Sequence, residues 1–142
     1  MSRDIADLIP DVERVARQFL LRCHEEGLNV AVTSTRRTRE EQIAYWSQGR
    51  GTLELVNILR DIAAFKPIKE EENRIISYCD GHKYKSRHQS GKAFDVVILD
   101  KLGKPVWSVE KANYKKIGEL AKECRLEWGG NWTPVDAFHL EV

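Results

Sequence analysis

Two short stretches hold side chains able to bind a metal or move a proton: SRHQSGKAFDVVIL at 86–99, with His88 and Asp95, and DAFHLEV at 136–142, with Asp136, His139 and Glu141. Two imidazoles and one carboxylate drawn from separate elements make a zinc set of the three-ligand kind, which leaves a fourth position for water. A further carboxylate outside the ligand set is then available as a general base. Glu141 follows His139 by two residues and so shares its strand face, where it can accept the second imidazole N–H and orient the ring. Asp95 poses the sharpest question, because a bare carboxylate inside an apolar, β-branched run is costly. A divalent cation would compensate it. So would an arginine or the N–H groups of a turn, with both histidines then ordinary core or surface residues, and spacing alone leaves both readings open.

The elements around these residues limit how they can meet. His88 precedes Asp95 by seven residues, an odd spacing that aims the two side chains at opposite faces of a straight strand. Gly91 lies between them and permits a bend, so that a loop histidine can meet a strand aspartate. Asp95 and Val97 then share one face of a strand over 93–99, and Phe94, Val96 and Ile98 share the other. Further strands are expected at 29–34 (NVAVTS), at 74–79, at 105–108 after the turn DKLGK, and at 139–142. Val12, Val15, Ala16, Phe19, Leu20 and Cys23 recur at helical spacing and predict a helix over 11–26, with Pro10 in its first turn and Gly27 past its end. Thr38-Arg-Glu-Glu41 matches a capping box that opens a second helix reaching to residue 49. Helical patterns also cover 53–65, stopped by Pro67, and 113–124, while 127–134 reads as a Gly/Trp loop. Tyr45 and Trp46 fall at core positions of the second helix, with one of them able to face the site. The sum is an α+β fold, a small antiparallel sheet flanked by helices. A length of 142 residues makes one domain, 1–142, able to bury a core without staples.

Bulk properties narrow the classes. With 23 Lys and Arg against 22 Asp and Glu, the net charge of +1 gives no basic excess to drive nucleic-acid or membrane-surface binding. The run TSTRRTREE contains the capping box of the second helix and reads as a helix cap and a solvated face rather than as a phosphate or DNA contact. Three separated cysteines, Cys23, Cys79 and Cys124, form no CxxC and are expected as reduced thiols, Cys23 and Cys124 in the core. No segment approaches the roughly 18 apolar residues of a membrane span. The N-terminal stretch is charged throughout, so synthesis in the cytoplasm without a signal peptide is expected. His24 and His82 lie outside the two clusters and take no role, and Ser90 is set aside as a nucleophile because a hydrolytic triad leaves Asp95 unexplained.

The pattern Ser86-x-His88-x-x-Gly91-x-Ala93-x-Asp95 resembles the SxHxxGxAxD motif of the D-alanyl-D-alanine carboxypeptidase and L-alanyl-D-glutamate endopeptidase metallopeptidases, a family that includes the vancomycin-resistance D,D-peptidases and many phage endolysins. Asp136-x-x-His139 is similar to its second motif, Arg37-Thr-Arg-Glu-Glu-Gln42 with Gln48-Gly-Arg50 to its R-(S/T)-x-x-E-Q…QGR segment, and Trp128-Gly-Gly-Asn-Trp132 to its WGGDW loop. The matches are collinear from about Val32 to Glu141. The resemblance implies a hedgehog/D-Ala-D-Ala-peptidase-like fold and one Zn2+ per chain, held by His88, Asp95 and His139. It implies Asp136 as the base that takes a proton from the attacking water and returns one to the leaving amine, Arg37 as the stabiliser of the oxyanion, and Ser86 at the substrate edge. Trp128 and Trp132 are expected to pack, with Trp132 also lining the cleft. Two departures stand out: Asn131 replaces the family's aspartate, and the stretch 51–85 is longer than in compact members and is expected as a substrate-facing insertion. Arg36 adjoins Arg37 and competes for its role.

The activity so implied is a zinc-dependent peptidoglycan peptidase, an endolysin-type cell-wall hydrolase cleaving L-alanyl-D-glutamate in the stem peptide. It would act as a monomer after release to the wall through a phage holin. The alternatives are a D-alanyl-D-alanine carboxypeptidase or dipeptidase and, in another class, a non-catalytic zinc-containing binding domain on the same scaffold, as in the hedgehog signalling domain. Retention of both Asp136 and Arg37 favours the enzyme.

Overall fold

The computed structural model describes residues 1–142. Four strands, β1 (Val30–Ser34), β2 (Ala93–Ile98), β3 (Glu127–Trp128) and β4 (His139–Glu141), are joined in one antiparallel sheet of order β1-β2-β4-β3, and only β1 and β2 are rich in β-branched residues. Four helices accompany it: α1 (Pro10–Glu25), α2 (Arg39–Ser47), α3 (Leu53–Ile62) and α4 (Tyr114–Glu123). None is long and apolar enough to cross a membrane. The α+β class read from the sequence is the class observed.

Period-2 alternation along β2 divides the molecule in two. Phe94, Val96 and Ile98 join Leu140 of β4 in a core closed by Val12, Ala16, Phe19 and Cys23 of α1 and by Tyr114, Ile117, Leu120 and Ala121 of α4. Each Val, Leu, Ile or Phe side chain among them contributes roughly 1.5–3 kcal/mol by leaving water. Arg22 of α1 closes the rim of this layer with a 3.1 Å ion pair to Glu123. The opposite face of β2 carries Asp95 and Val97 and floors an open cleft.

Helix ends follow local chemistry. Pro10 occupies the first turn of α1, and Gly27 beyond its end adopts φ +75°. On α2 the capping box is complete: Thr38 Oγ1 accepts from Glu41 N–H at 3.1 Å, and Glu41 Oε1 accepts from Thr38 N–H at 2.9 Å. The third helix ends at Ile62, short of the predicted 65, because Ala64 turns left-handed (φ 60°) and Phe65 N–H reaches back to Arg60 O at 2.8 Å. That reversal, rather than Pro67, stops it.

Two predicted strands are absent and one was missed. Past β2 the ladder shrinks to a single bridge, Leu99 to Pro105, and residues 105–108 are not a strand. Proline supplies no N–H, and the Tyr114 hydroxyl inserts next to it, accepting from Ile98 N–H at 3.0 Å and donating to Val106 O at 2.7 Å. Residues 74–79 are irregular because side-chain bonds replace a ladder: the Gln42 amide donates to Ser77 Oγ and to Cys79 O, each at 2.8 Å. Conversely, the Gly/Trp loop holds the two-residue β3, too short to leave a periodic signal.

Tyr114→Phe tests the hydroxyl's structural role. Losing a buried hydroxyl that serves both a donor and an acceptor should cost about 1–3 kcal/mol, read as a lower denaturation midpoint at unchanged m-value.

Candidate metal and catalytic site

Sheet register builds half of the site. Asp95 of β2 lies opposite His139 of β4 on one side and, after a register shift between Val32 and Ser34, opposite Ser34 of β1 on the other. Directly opposed residues of an antiparallel pair project to the same face, so pairing alone sets Asp95 and His139 side by side. His88 arrives from the turn before β2. There Gly91 takes φ +70°, and its carbonyl accepts Ile9 N–H at 3.1 Å, anchoring the turn to the start of α1. Ser86 Oγ accepts His88 N–H at 3.1 Å, and His88 O accepts Arg37 N–H at 3.0 Å. The bend expected at Gly91 therefore resolves the odd spacing of His88 and Asp95.

Three atoms converge. His88 Nε2 lies 3.2 Å from His139 Nδ1 and 3.3 Å from Asp95 Oδ1, and His139 Nδ1 lies 3.2 Å from the same oxygen. The other nitrogen of each ring is already committed. His88 Nδ1 is 2.8 Å from Thr35 O, a carbonyl that can only accept, so Nδ1 carries the proton. His139 Nε2 is 2.8 Å from Glu141 Oε2 and donates to that carboxylate. In their neutral forms both rings thus turn a lone pair toward Asp95, and three electron-rich atoms face one point. Tetrahedral zinc with bonds of ~2.0–2.1 Å holds neighbouring donors about 3.3 Å apart, so the donor set fits that ion in number, type and spacing.

The electrostatics agree. Burial on its own would raise the Asp95 pKa, but hydrogen bonds to His139 and His88 overcome it and hold the carboxyl well below its ordinary range. Burial likewise opposes charging of His139, yet the bond to Asp95, then Glu141 and Asp136, raise its pKa. The cluster attracts positive charge.

Around it stand the remaining candidates. Of the adjacent arginines, Arg36 is exposed while Arg37 turns into the cleft, its side chain only 10% accessible. Arg37 Nη1 donates to Gln42 Oε1 at 2.8 Å, Nη2 lies 4.0 Å from Asp95 Oδ2, and the guanidinium lies 4.8 Å from the centre of the Tyr45 ring. Its Nε is buried without a hydrogen-bond partner. Asp136 is exposed as a residue, but the protein crowded about its carboxyl raises its pKa, and the charge of Asp95 adds to this. Its backbone is fixed by a bond from its N–H to Gly129 O at 2.9 Å. A methyl on Gly129 would collide with the Asp136 carbonyl, and one on Gly130 or Gly118 with the Trp128 indole. The Trp-Gly-Gly stretch is therefore a close-packed mount for Asp136. Trp128 donates from Nε1 to Ala137 O at 2.8 Å, whereas Trp132 lines the cleft with its ring 5.0 Å from that of His139.

The cleft has a volume of about 1680 Å³. His88, Asp95, His139, Asp136 and Arg37 all face it, as do Ser86, Trp132 and Glu141. One wall comes from residues 74–79 and 85–87, while α3, the regular part of the stretch 51–85, packs instead on α2. Sequence reasoning missed Thr35 and gave Gln42 no role. Thr35 acts through a carbonyl, which leaves no residue-type signal. Gln42 is fully buried and bonds to Arg37 and to the 74–79 wall, and a polar residue on the inner face of α2 was its only trace.

Residues 80–142 match the family model described as D-alanyl-D-alanine carboxypeptidase. The peptidoglycan L-alanyl-D-glutamate endopeptidase CwlK of Bacillus subtilis (strain 168) is 26% identical over 145 residues, covering 96% of this chain and 74% of that protein. Among solved structures, the Serratia marcescens L-Ala D-Glu endopeptidase ChiX superposes with a TM-score of 0.57 at 22% identity, covering 97% of this chain and 82% of that one. VanYB in complex with D-alanine-D-alanine superposes with a TM-score of 0.53 at 15% identity, covering 94% of this chain and 70% of that one. The family match falls on the segment that carries His88, Asp95, Asp136 and His139.

Gly129→Ala tests the mount of Asp136. Overpacking against the Asp136 carbonyl should cost about 1–3 kcal/mol in stability and displace the 129–136 segment. Amide shifts in a heteronuclear NMR spectrum should concentrate there and spare β2.

Proposed function

We propose that the protein is a zinc-dependent peptidoglycan peptidase that cleaves the L-alanyl-D-glutamate bond of the stem peptide. One observation carries the metal: three lone-pair atoms lie within 3.3 Å of one another, with both imidazole tautomers set by outer partners. His88 Nε2, His139 Nδ1 and Asp95 Oδ1 would hold the ion. Bound there, zinc supplies Lewis acidity toward water and toward a peptide carbonyl. The choice of bond is supported by the activity of the curated Bacillus relative, which matches along nearly the whole chain.

The chain's own groups divide the remaining work. Asp136, with its pKa raised, is a better proton acceptor than an ordinary carboxylate and takes the proton of the attacking water. It then returns a proton to the leaving amine. Arg37 lines the same cleft and stabilises the oxygen on which negative charge develops. Gln42 and Tyr45 hold its guanidinium in place. Trp132 and the 74–79 and 85–87 wall border the space left for the peptide, and Ser86 lies at its edge.

Digestion of purified peptidoglycan, with and without a chelator, tests this reading through the new termini seen by mass spectrometry. A chelator-sensitive D-glutamate amino terminus is the expected product. Release of free D-alanine would replace the bond assignment with the carboxypeptidase activity named by the family model over 80–142. No cleavage by zinc-loaded protein would overturn the enzyme in favour of a binding domain.

Two variants separate the roles. Asp136→Ala should keep one zinc per chain and lose about 10²–10⁴-fold in kcat. His88→Ala should fail to retain stoichiometric zinc by elemental analysis, and full zinc content in that variant would remove His88 from the ligand set.

A further inference from the structure

Trp107 is a large aromatic side chain that the chemistry above leaves unused. It lines the same cleft as the His-Asp-His cluster yet stays 57% exposed. Its mount is rigid. The indole rests edge-to-face on Phe138, centroids 5.4 Å apart, and Phe138 rests in turn on Tyr114 at 5.2 Å. Tyr114 is buried, and its hydroxyl ties Ile98 to Val106, the residue just before Trp107. Phe138 immediately precedes His139. An exposed indole face is thus fixed one aromatic ring away from the strand that carries His139, next to the uncharged Leu99, Gly103 and Pro105.

We propose that Trp107 is a stacking platform for the sugar ring that bears the stem peptide. This inference rests on the endopeptidase reading, which sets the distance. In peptidoglycan the L-alanine is joined through a lactyl group to a pyranose, so only one residue, about 3.5 Å when extended, separates the scissile carbonyl from that group. A substrate cut at this bond must bring its sugar into or beside the cleft. The apolar C–H face of a pyranose complements a rigid indole face. Arg74 and Lys85 also line the cleft, where the carboxylates of the D-glutamate side would find cations, while Leu99, Gly103 and Pro105 near Trp107 present no charge to a neutral sugar.

The test compares two substrates with the same peptide, one bearing the muramyl sugar and one acetylated in its place. Zinc-loaded wild-type protein should cleave the sugar-bearing peptide at the higher kcat/KM. Trp107→Ala should cost that substrate about ten-fold more, chiefly in KM, than it costs the sugar-free one, the size of a good aromatic contact. Trp107→Phe should restore part of the difference. Equal losses on both substrates, or no loss on either, would overturn the platform. A second readout does not depend on cleavage: the Trp107 indole N–H resonance, assigned by its absence in Trp107→Ala, should shift on titration with the muramyl sugar alone. A shift without any cleavage would sustain the platform and sink the endopeptidase reading, whereas cleavage without a shift or a substrate difference would do the reverse.

Discussion

The structure turns on one carboxylate, Asp95, set in the middle of the central strand of a small sheet. In an apolar face it would be destabilising; here it is the shared partner of two imidazoles. The cost of burying the charge is offset only while something positive sits among the three groups. Against burial, hydrogen bonds to His139 and His88 hold the Asp95 pKa down, and Asp95 in turn raises that of His139. A divalent cation serves the same need with more charge and no steric demand beyond the space between the donors. A cation bound there would link folding to metal affinity through the same three atoms.

That linkage extends through the sheet. Thr35, just past β1, accepts from His88, and Arg37 N–H returns a bond to the carbonyl of the same histidine. Glu141 at the end of β4 accepts from His139, and Arg87 lies 3.8 Å from its other oxygen. Residues 35, 88, 95, 139 and 141 thus form one continuous chain of contacts across the sheet, although they are spread over most of the sequence. A slip of one residue in either strand pairing would turn Asp95 away from its partners and drive Phe94 and Val96 out of the core. Core packing and ligand placement consequently select the same register.

How legible this was in the sequence depends on how each feature is encoded. The helices α1 and α4 show as amphipathic stripes, the start of α2 as a capping box, and β2 as an apolar run broken by Asp95. His88, Asp95, Asp136 and His139 stand out because their residue types are costly or reactive where they occur. The orientation of Arg37 over Arg36 was not legible, since it depends on Gln42 and Tyr45 reaching it from α2. Nor was the failure of strands at 74–79 and 105–108. Both segments have strand-like composition, and both lose the ladder to single side chains, Gln42 and Tyr114, that bond to their backbones from elsewhere. The end of α3 was misplaced for a related reason: Ala64 adopts a left-handed conformation that composition assigns to glycine.

The site also separates what must be rigid from what can vary. Two of the three clustered side chains sit on strands, and the third on a turn pinned at both ends, so their spacing inherits the stiffness of the sheet. The groups that would meet substrate come from irregular chain: 74–79, 85–87, the segment through Trp107, and the loop carrying Trp132 and Asp136. Asp136 is the exception that, as the proposed base, would need both properties, reaching the substrate yet holding its distance from the three clustered atoms. The fold meets this with glycine rather than with a strand. Gly129 lets the Asp136 backbone approach closely, while Gly118 and Gly130 admit the Trp128 ring beneath it. The loop is therefore fixed by contact instead of by a ladder, and its glycines are constrained by what lies against them more than by their own backbone angles.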